Sequence, residues 1–276
     1  MRFTKMQGIG NDYIYVNAFE EKVPDPSKLA IRISDRHFGA GSDGLVLIAP
    51  SDKADFRMRM FNRDGSEGKM CGNAARCIGR YVVERGLTRN TVITLETPGG
   101  IRKVETHVKD GHVVSVSVDM GEPAFRHTDI PTTLLTPQCA QLQIDTAAYE
   151  VVCLSMGNPH CVVFVEEPEA LDLPFIGSKF EHHAVFPEGV NTEFVCVQDD
   201  GSLRMRVWER GSGETMACGT GACAALVASV IQHLGPRENT VHLRGGDLHL
   251  RWSMDGSVIQ EGPAAFVYDG IWPDEN

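Results

Sequence analysis

Residues 57–75 read RMRMFNRDGSEGKMCGNAA, and residues 204–222, 147 positions further along, read RMRVWERGSGETMACGTGA. Eight of the nineteen positions are identical and the alignment contains no gap. The same offset places Gly10-Asn11 on Gly157-Asn158. An offset that holds over this distance indicates a duplicated unit, so we expect two similar domains.

The length of 276 residues fits two domains of about 140 residues each. We expect one domain from residues 1–118 together with 264–276, carrying Cys71, and a second from residues 119–263, carrying Cys218. The composition, with 42% hydrophobic and 23% charged residues, is that of a soluble globular protein. The formal net charge of -11, without any basic run, argues against nucleic acid or an anionic membrane as a partner. A small anionic substrate remains compatible with it.

The amino terminus enters a strand pattern directly, without the apolar segment of a signal peptide. The longest weakly polar run, Ala217 to Ile231, is too short to span a bilayer. We therefore predict a cytoplasmic protein whose eight cysteines are thiols. No Cys-x-x-Cys occurs, and the spacings around Cys71 and Cys218 are poor for zinc, so we predict no metal site.

Strand patterns outnumber helix patterns, and many are joined by turns of hairpin length, such as Asp110-Gly111, where both residues need a positive φ. A first helix is predicted near the amino terminus, capped near Asp25 or Ser27 and running to about Asp35. Two longer helices are predicted, one over residues 72–85 ended by Gly86 and one over residues 219–234 ended by Gly235. The helix over residues 219–234 is apolar almost all round, which indicates burial on every side. The predicted fold class is α+β, with two pseudo-symmetric domains that each wrap a mostly antiparallel curved sheet or barrel around a central apolar helix.

Each of the two longer predicted helices begins at a Cys-Gly pair. A helix N-terminus offers unpaired N–H groups and a partial positive charge, so a carboxylate can dock there. The same field favours a thiolate, and we expect it to lower the pKa of both Cys71 and Cys218. Two such starts facing each other would place one α-carbon between two sulfurs, an arrangement suited to removing a proton on one side and returning it on the other. The other six cysteines are interpreted as small buried side chains.

Residues 70–77 and 209–222 closely resemble the two cysteine motifs of the diaminopimelate epimerase family. Residues 8–12, 61–66, 156–161 and 190–191 match its other motifs in order, and the resemblance extends from Lys5 to Gly270. It implies a cofactor-independent isomerase that interconverts LL- and meso-diaminopimelate in bacterial lysine and cell-wall precursor synthesis. It also implies an active site between two pseudo-symmetric domains.

The resemblance also assigns residues. Cys71 and Cys218 correspond to the acid and base pair, with His160 and Glu209 beside them. The reacting carboxylate would be held at the two helix starts by Gly72, Asn73, Gly219 and Thr220. The distal amino acid group would be held by Asn11, Asn62, Asn158, Asn191 and Arg210, with the backbone of Glu209. Tyr268 corresponds to a family dimer contact, which implies a homodimer.

Arg210 has a physical reason for its assignment, because a guanidinium can bind a carboxylate through two parallel hydrogen bonds. Two positions depart from the family pattern. Gly44 stands where many members carry glutamine, so a side-chain contact is lost there. Ala74 stands where a glycine is usual, one residue beyond Asn73.

Three other functions compete with this interpretation. A proline or hydroxyproline racemase of the same two-thiol fold acts on a substrate with one carboxylate and would not need the distal set. A non-catalytic binding protein on this scaffold would be indicated by loss of either cysteine, and both are present. A redox thiol protein should have paired thiols close in sequence, whereas Cys71 and Cys218 are 147 residues apart.

Overall fold

The structure, a computed structural model, describes residues 1–273. Its strands in chain order are β1 (Arg2–Gly8), β2 (Asn11–Asn17), β3 (Gly44–Ala49), β4 (Phe56–Asn62), β5 (Glu67–Gly68), β6 (Val92–Thr97), β7 (Gly100–Lys109), β8 (His112–Asp119), β9 (Ala140–Ile144), β10 (Ala147–Ser155), β11 (Pro159–Phe164), β12 (Asn191–Val197), β13 (Leu203–Glu209), β14 (Gly213–Thr215), β15 (Glu238–Leu243), β16 (Gly246–Trp252), β17 (Val258–Gly262) and β18 (Ala265–Ile271). The α-helices of this described part are α1 (Pro26–Ser34), α2 (Gly72–Glu84), α3 (Leu173–Glu181) and α4 (Gly219–Ile231).

The chain forms two compact units. The first contains Met1–Asp119 together with the segment that begins at Glu261, and the second contains Met120–Gln260. Cys71 lies in the first unit and Cys218 in the second.

In the first unit the strand order is β18–β1–β2–β3–β4–β6–β7–β8, and β5 also pairs with β4. The pairs β2–β3 and β4–β6 are parallel, and the other pairs of this set are antiparallel. Helix α1 connects β2 to β3 and helix α2 connects β5 to β6, as parallel pairs require a crossover.

The second unit repeats this plan. Its order is β9–β10–β11–β12–β13–β15–β16, and β14 also pairs with β13. The parallel pairs are β11–β12 and β13–β15, again joined through helices α3 and α4. The predicted fold class is confirmed: two pseudo-symmetric α+β domains, each a mostly antiparallel sheet around a central helix.

Helices α2 and α4 are the central helices of their units. Helix α2 packs against β1, β7 and β8, and helix α4 packs against β10 to β13, β15 and β16. Every residue of α4 from Gly221 to Ser229 is buried, as its all-round apolar sequence predicts. Helix α2 is less uniform, since its buried residues include Arg76.

The predicted end of the second central helix is wrong. Helix α4 ends at Ile231, and the left-handed residue that ends it is His233, with φ 59°, rather than Gly235. The Leu234 N–H donates to the Ser229 carbonyl oxygen at 2.8 Å, which closes the helix. His233 lies 147 residues after Gly86, whose φ of 72° ends α2 in the predicted place.

Local patterns also predicted two smaller features. Asp25 is the N-cap of α1, where its carboxylate accepts the Lys28 N–H at 3.1 Å, and Pro26 occupies the first turn. Asp110 and Gly111 have φ values of 53° and 81°, as the β7–β8 hairpin turn requires. No helix among residues 1–273 has the length and hydropathy needed to cross a membrane.

Candidate active site

The two cysteines cap the two central helices in the same way. Cys71 has an extended backbone (φ -143°, ψ 116°), and its Sγ accepts the Ala74 N–H at 3.5 Å. Cys218 is also extended (φ -119°, ψ 109°), and its Sγ accepts the Gly221 N–H at 3.3 Å. In each helix the sulfur therefore takes the place that a serine or aspartate oxygen takes in an ordinary N-cap.

Matching ion pairs hold the loops that lead into these helices. In the first unit Arg59 donates Nε and Nη2 to the Glu67 carboxylate at 2.8 and 3.0 Å. In the second unit Arg206 does the same to Glu214, at 2.8 and 3.0 Å. These four residues are repeat equivalents, so the shared RMR and glutamate positions encode a two-point clamp between β4 and β5 and between β13 and β14.

Around Cys71 the first unit builds a chain of polar side chains. The Cys71 thiol donates to Asn11 Oδ1 at 3.5 Å, and Asn73 Nδ2 donates to the same oxygen at 3.2 Å. Arg76, which is fully buried, donates through Nη2 to Asn73 Oδ1 at 2.7 Å and through Nε to the Pro263 carbonyl at 3.2 Å. The structure thus brings together Cys71, Asn73 and Asn11, three residues that the resemblance assigns.

Asn11 is fixed from its other side as well. Its Nδ2 donates to Asp43 Oδ2 at 2.8 Å, and the Asp12 N–H donates to the same oxygen at 3.1 Å. Arg36 forms ion pairs with Asp12 at 2.9 Å and with Asp43 at 3.0 Å. Asn11 therefore presents its oxygen to the Cys71 helix start in a fixed orientation.

Asn62 lies at the end of β4, opposite Gly44 of β3, and donates through Nδ2 to Ser66 Oγ at 3.0 Å. A Cβ at position 44 would lie 2.1 Å from the Phe61 carbonyl oxygen and 2.9 Å from the Tyr13 ring. The strands approach too closely here for any side chain without a backbone shift. The close packing of these strands therefore leaves no space at position 44 for the glutamine side chain that many family members carry.

The alanine at position 74, where a glycine is usual, keeps the backbone N–H that binds the Cys71 sulfur. Ala74 is fully buried, and its backbone N–H is the one that Cys71 accepts. In the second helix, a Cβ at Gly219 would lie 2.9 Å from Gln260 Nε2, which donates to the Gly219 carbonyl at 2.7 Å. A side chain at position 219 would therefore have to displace the buried Gln260 amide. Gly72 is buried at the first position of α2, and Thr220 follows Gly219 in α4.

The electrostatics of Cys218 differ from the expectation. Burial raises the pKa of this thiol well above its ordinary value, and the charges of Glu209 and Glu193 raise it further. The Thr220 hydroxyl, 3.5 Å from Sγ, and the Gly221 N–H act in the opposite direction and do not compensate. The expected lowering of the pKa by the helix N-terminus is therefore wrong for Cys218, because burial, and after it the two carboxylates that the surrounding strands bring to the sulfur, outweigh the helix.

His160 and Glu209 both lie in the second unit. His160 is fully buried, with Nδ1 2.7 Å from Glu193 Oε1 and Nε2 3.0 Å from Asn158 Oδ1. The Glu209 carboxylate accepts a hydrogen bond from the Thr215 hydroxyl, and its charge acts on Cys218. The structure thus groups His160 with Asn158, and Glu209 with Cys218.

Asn191 and Arg210 are joined through the backbone. The Arg210 N–H donates to Asn191 Oδ1 at 2.9 Å, and Asn191 Nδ2 donates to the Pro159 carbonyl at 2.8 Å. The Arg210 side chain is exposed and donates through Nη1 to the Glu188 carbonyl at 3.0 Å. Asn191 therefore positions the residue that carries the guanidinium.

Four of the six remaining cysteines are buried: Cys77, Cys153, Cys161 and Cys223. Burial raises the pKa of Cys77 to about 11, as expected of an inert core thiol. The interpretation of all six as small buried side chains is wrong for Cys139, which is exposed, and Cys196 is only partly buried.

The residues that sequence reasoning missed are charged groups that orient the assigned ones: Asp43, Arg76 and Glu193. The available signal was weak. Glu193 is the one charged residue of strand β12. Arg76 is preceded and followed in helix α2 by mostly small or apolar residues.

The family model of diaminopimelate epimerase matches residues 3–126 and 152–267. A diaminopimelate epimerase of Acetivibrio thermocellus is 54% identical over 273 residues, which cover 98% of this chain and 98% of that protein. One of Desulfovibrio desulfuricans is 50% identical over 279 residues, covering 98% and 97%. Among solved structures, a probable proline racemase from Agrobacterium radiobacter K84 with bound carbonate has a TM-score of 0.74 at 14% identity, covering 99% of this chain and 93% of that chain. At that identity the likeness concerns the fold alone.

The Arg76→Met variant should lower the free energy of unfolding by about 2–4 kcal/mol, because two buried acceptors, on Asn73 and Pro263, lose their donor at about 1–3 kcal/mol each. Chemical denaturation followed by circular dichroism measures this. The control is Arg57→Met on β4, an exposed arginine, which should lose about 1 kcal/mol or less. Equal losses in the two variants would contradict the role given to Arg76.

Proposed function

Because this chain belongs to the diaminopimelate epimerase family, we propose that it interconverts LL- and meso-2,6-diaminopimelate by a two-cysteine acid and base mechanism that needs no cofactor. The observation that carries the proposal is the pair of cysteine N-caps, Cys71 and Cys218, at repeat-equivalent positions of two similar units. The supply of diaminopimelate for lysine and cell-wall precursors is the proposed role in the cell.

The mechanism exchanges one proton. One sulfur, as thiolate, takes the α-proton and becomes a thiol, while the electron pair of the broken C–H bond spreads onto the carboxylate. The opposite thiol then gives its proton to the other face of the α-carbon and becomes the thiolate, so configuration inverts and the two sulfurs have exchanged roles. Backbone N–H groups at Gly72, Asn73, Gly219 and Thr220 would stabilise the charge on the carboxylate.

Specificity is proposed to come from the distal set: Asn11, Asn62, Asn158, Asn191 and Arg210, with the Glu209 backbone. The exposed guanidinium of Arg210 and the fixed oxygen of Asn11 are the two groups whose surroundings best support this. His160 and Glu209 are proposed to act beside the thiols. A proline-type racemase shares the fold, and its substrate has no second amino acid group for such a set to bind.

We further propose that the protein is cytoplasmic, because a mechanism with two reduced thiols suits a reducing compartment. No cysteine of the structure is in a disulfide within the described residues.

Incubating the protein with LL-diaminopimelate in heavy water should incorporate deuterium at the α-carbon and form the meso isomer, with no exchange of proline. Cys71→Ala and Cys218→Ala should each abolish the epimerisation, because no neighbouring base replaces either sulfur. The matched controls are Cys77→Ala and Cys223→Ala, buried thiols on the same two helices, which should retain it. Epimerisation by either of the first two variants would contradict a two-base mechanism.

Arg210→Lys should reduce kcat/KM for LL-diaminopimelate about tenfold to a hundredfold, the cost of one charge-assisted hydrogen bond, because lysine keeps the charge without the planar fork. Steady-state kinetics measures it. Arg63→Lys, the repeat-equivalent change in the first unit, is the control and should leave kcat/KM within about twofold of the original. An unchanged kcat/KM for Arg210→Lys would place the distal clamp elsewhere.

A homodimer is also proposed, with Tyr268 at the contact. Tyr268 is 42% exposed, packs edge-on against Phe3 at 6.0 Å and donates to the Ala40 carbonyl at 3.2 Å. Val267 and Ile271 on the same strand are also exposed, and such apolar surface favours association.

Light scattering after size-exclusion chromatography should give the mass of a dimer, and Tyr268→Ala should lower the dimer fraction at micromolar concentration. Met254→Ala, which removes an exposed apolar side chain of the second unit, should not. A monomer mass for the unaltered protein would exclude the dimer.

A further inference from the structure

The second unit contains a buried acid to which the family resemblance assigns no role. Glu193, on β12, is 0% exposed, and its Oε1 accepts a hydrogen bond from Nδ1 of the equally buried His160 at 2.7 Å. Its other oxygen, Oε2, has no hydrogen-bond partner among the described residues. Burying a carboxylate with one unsatisfied oxygen is costly, so the position calls for a reason other than packing.

Glu193 also lies against the start of α4. A Cβ at Gly221 would lie 2.5 Å from Glu193 Oε1 and 3.2 Å from Cys218 Sγ. The carboxylate and the sulfur therefore approach the same point of the helix, and only glycine leaves room for both. Gly221 also supplies the N–H that the sulfur accepts.

The fold does not require this acid. The offset of 147 residues places Tyr13 and Val46 of the first unit on His160 and Glu193. Val46 is fully buried at the equivalent position in β3, within a unit of the same topology. An apolar side chain therefore satisfies the scaffold, and the acid belongs to the second unit alone.

We propose that Glu193 is a positioning residue of the epimerase: it holds His160 with a proton on Nδ1 and with Nε2 toward Asn158, and its charge keeps a proton on Cys218 in the resting enzyme. The inference rests on the proposed function and adds a residue to it. The carboxylate accepts the Nδ1 hydrogen bond, which fixes the ring and leaves Nε2 facing the Asn158 side-chain oxygen at 3.0 Å.

The second part of the proposal follows from the chemistry of two thiols. The pair is productive only while it holds one proton, and two equal thiols hold one proton over a narrow pH range. Carboxylates beside one sulfur separate the two titrations and widen that range. The pKa of Cys218 is raised by burial first, then by Glu209 and then by Glu193, which is the direction required.

Other ionisable groups on the strands around α4 do not substitute for Glu193. On β13, Arg206 donates to the Glu214 carboxylate and to the Pro168 and Leu171 carbonyls, and Glu209 at its end is the other acid that acts on Cys218. Besides His160, the remaining ionisable side chains on these strands are the buried or half-buried thiols and the side chains that reach solvent: Cys153, Cys161, Cys196, Tyr149, Glu150, Arg204, Glu238, His242, Asp247, His249 and Arg251.

The first test uses alkylation of Cys218 by iodoacetamide as a function of pH, read by peptide mapping. Glu193→Gln keeps the shape and removes the charge, so the thiolate should form, and alkylation should rise, at a lower pH than in the unaltered protein. Glu150→Gln removes one negative charge from an exposed position on β10 of the same unit and should leave the profile in place. Superimposed profiles for Glu193→Gln and the unaltered protein would overturn the electrostatic role.

This readout needs no turnover, so it is independent of the proposed substrate. Should the glutamine variant not fold, Glu193→Asp keeps the charge but withdraws it from His160 and Gly221, and an intermediate shift is expected. A protein that fails to exchange LL-diaminopimelate but shows the alkylation shift would overturn the proposed function and leave the effect of Glu193 on Cys218 standing.

The second test concerns His160. Glu193→Gln should lower kcat/KM about tenfold to a hundredfold with little change in KM, and should move the alkaline limb of the kcat/KM profile to lower pH. Glu193→Asp should recover part of the loss. In a His160→Gln background, and at a pH well below the alkaline limb where Cys218 keeps its proton, adding Glu193→Gln should cost less than twofold more, since the rest of the effect of the carboxylate acts through the imidazole. Losses that multiply independently would overturn the positioning role.

Discussion

The structure of the candidate site depends on one hydrogen bond made twice, from the backbone N–H of the third helical residue to the sulfur of the capping cysteine. The bonds at Ala74 and Gly221 fix each sulfur above a helix start and leave the N–H groups of the first two helical residues unused by the cap. A single such bond contributes only about 1 kcal/mol. The Arg–Glu clamps before each helix, and the burial of the helices themselves, therefore secure the position that the bond defines.

The offset of 147 residues predicts more of the helix positions than local sequence patterns do. Adding it to the bounds of α1 gives those of α3, although the two helices share almost no sequence beyond the N-cap aspartates, Asp25 and Asp172. The periodicity of residues 173–181 alone predicted no helix. Helix α2 ends at Glu84, and adding the offset to that position gives Ile231, which is where α4 ends. The glycine pattern had instead predicted an end at Gly235. A left-handed histidine has no local signal, because most histidines do not adopt that conformation.

The sequence identified the cysteines, the asparagines and Arg210, since these stand in long motifs. It could not identify the buried charges, because a charged residue in a strand or helix is normally exposed, and only packing decides otherwise. The same limit explains the pKa of Cys218. An argument from the helix N-terminus considers one element, whereas β12 and β13 bring Glu193 and Glu209 to the sulfur. The two units thus share a backbone plan and differ in their fully buried charges, Arg76 in the first and Glu193 in the second.

The pairing of β1 with β18 has a consequence for synthesis on the ribosome. Arg2 pairs with Ile271, so the first unit needs residues from both ends of the described chain, while the second is continuous from Met120 to Gln260. During translation β1 is made well before β18 and lacks this neighbour until residues 265–271 have been added. The second unit has all of its own strands before that, so vectorial folding completes the second unit first and leaves an edge of the first unit unpaired while residues 120–260 are being made.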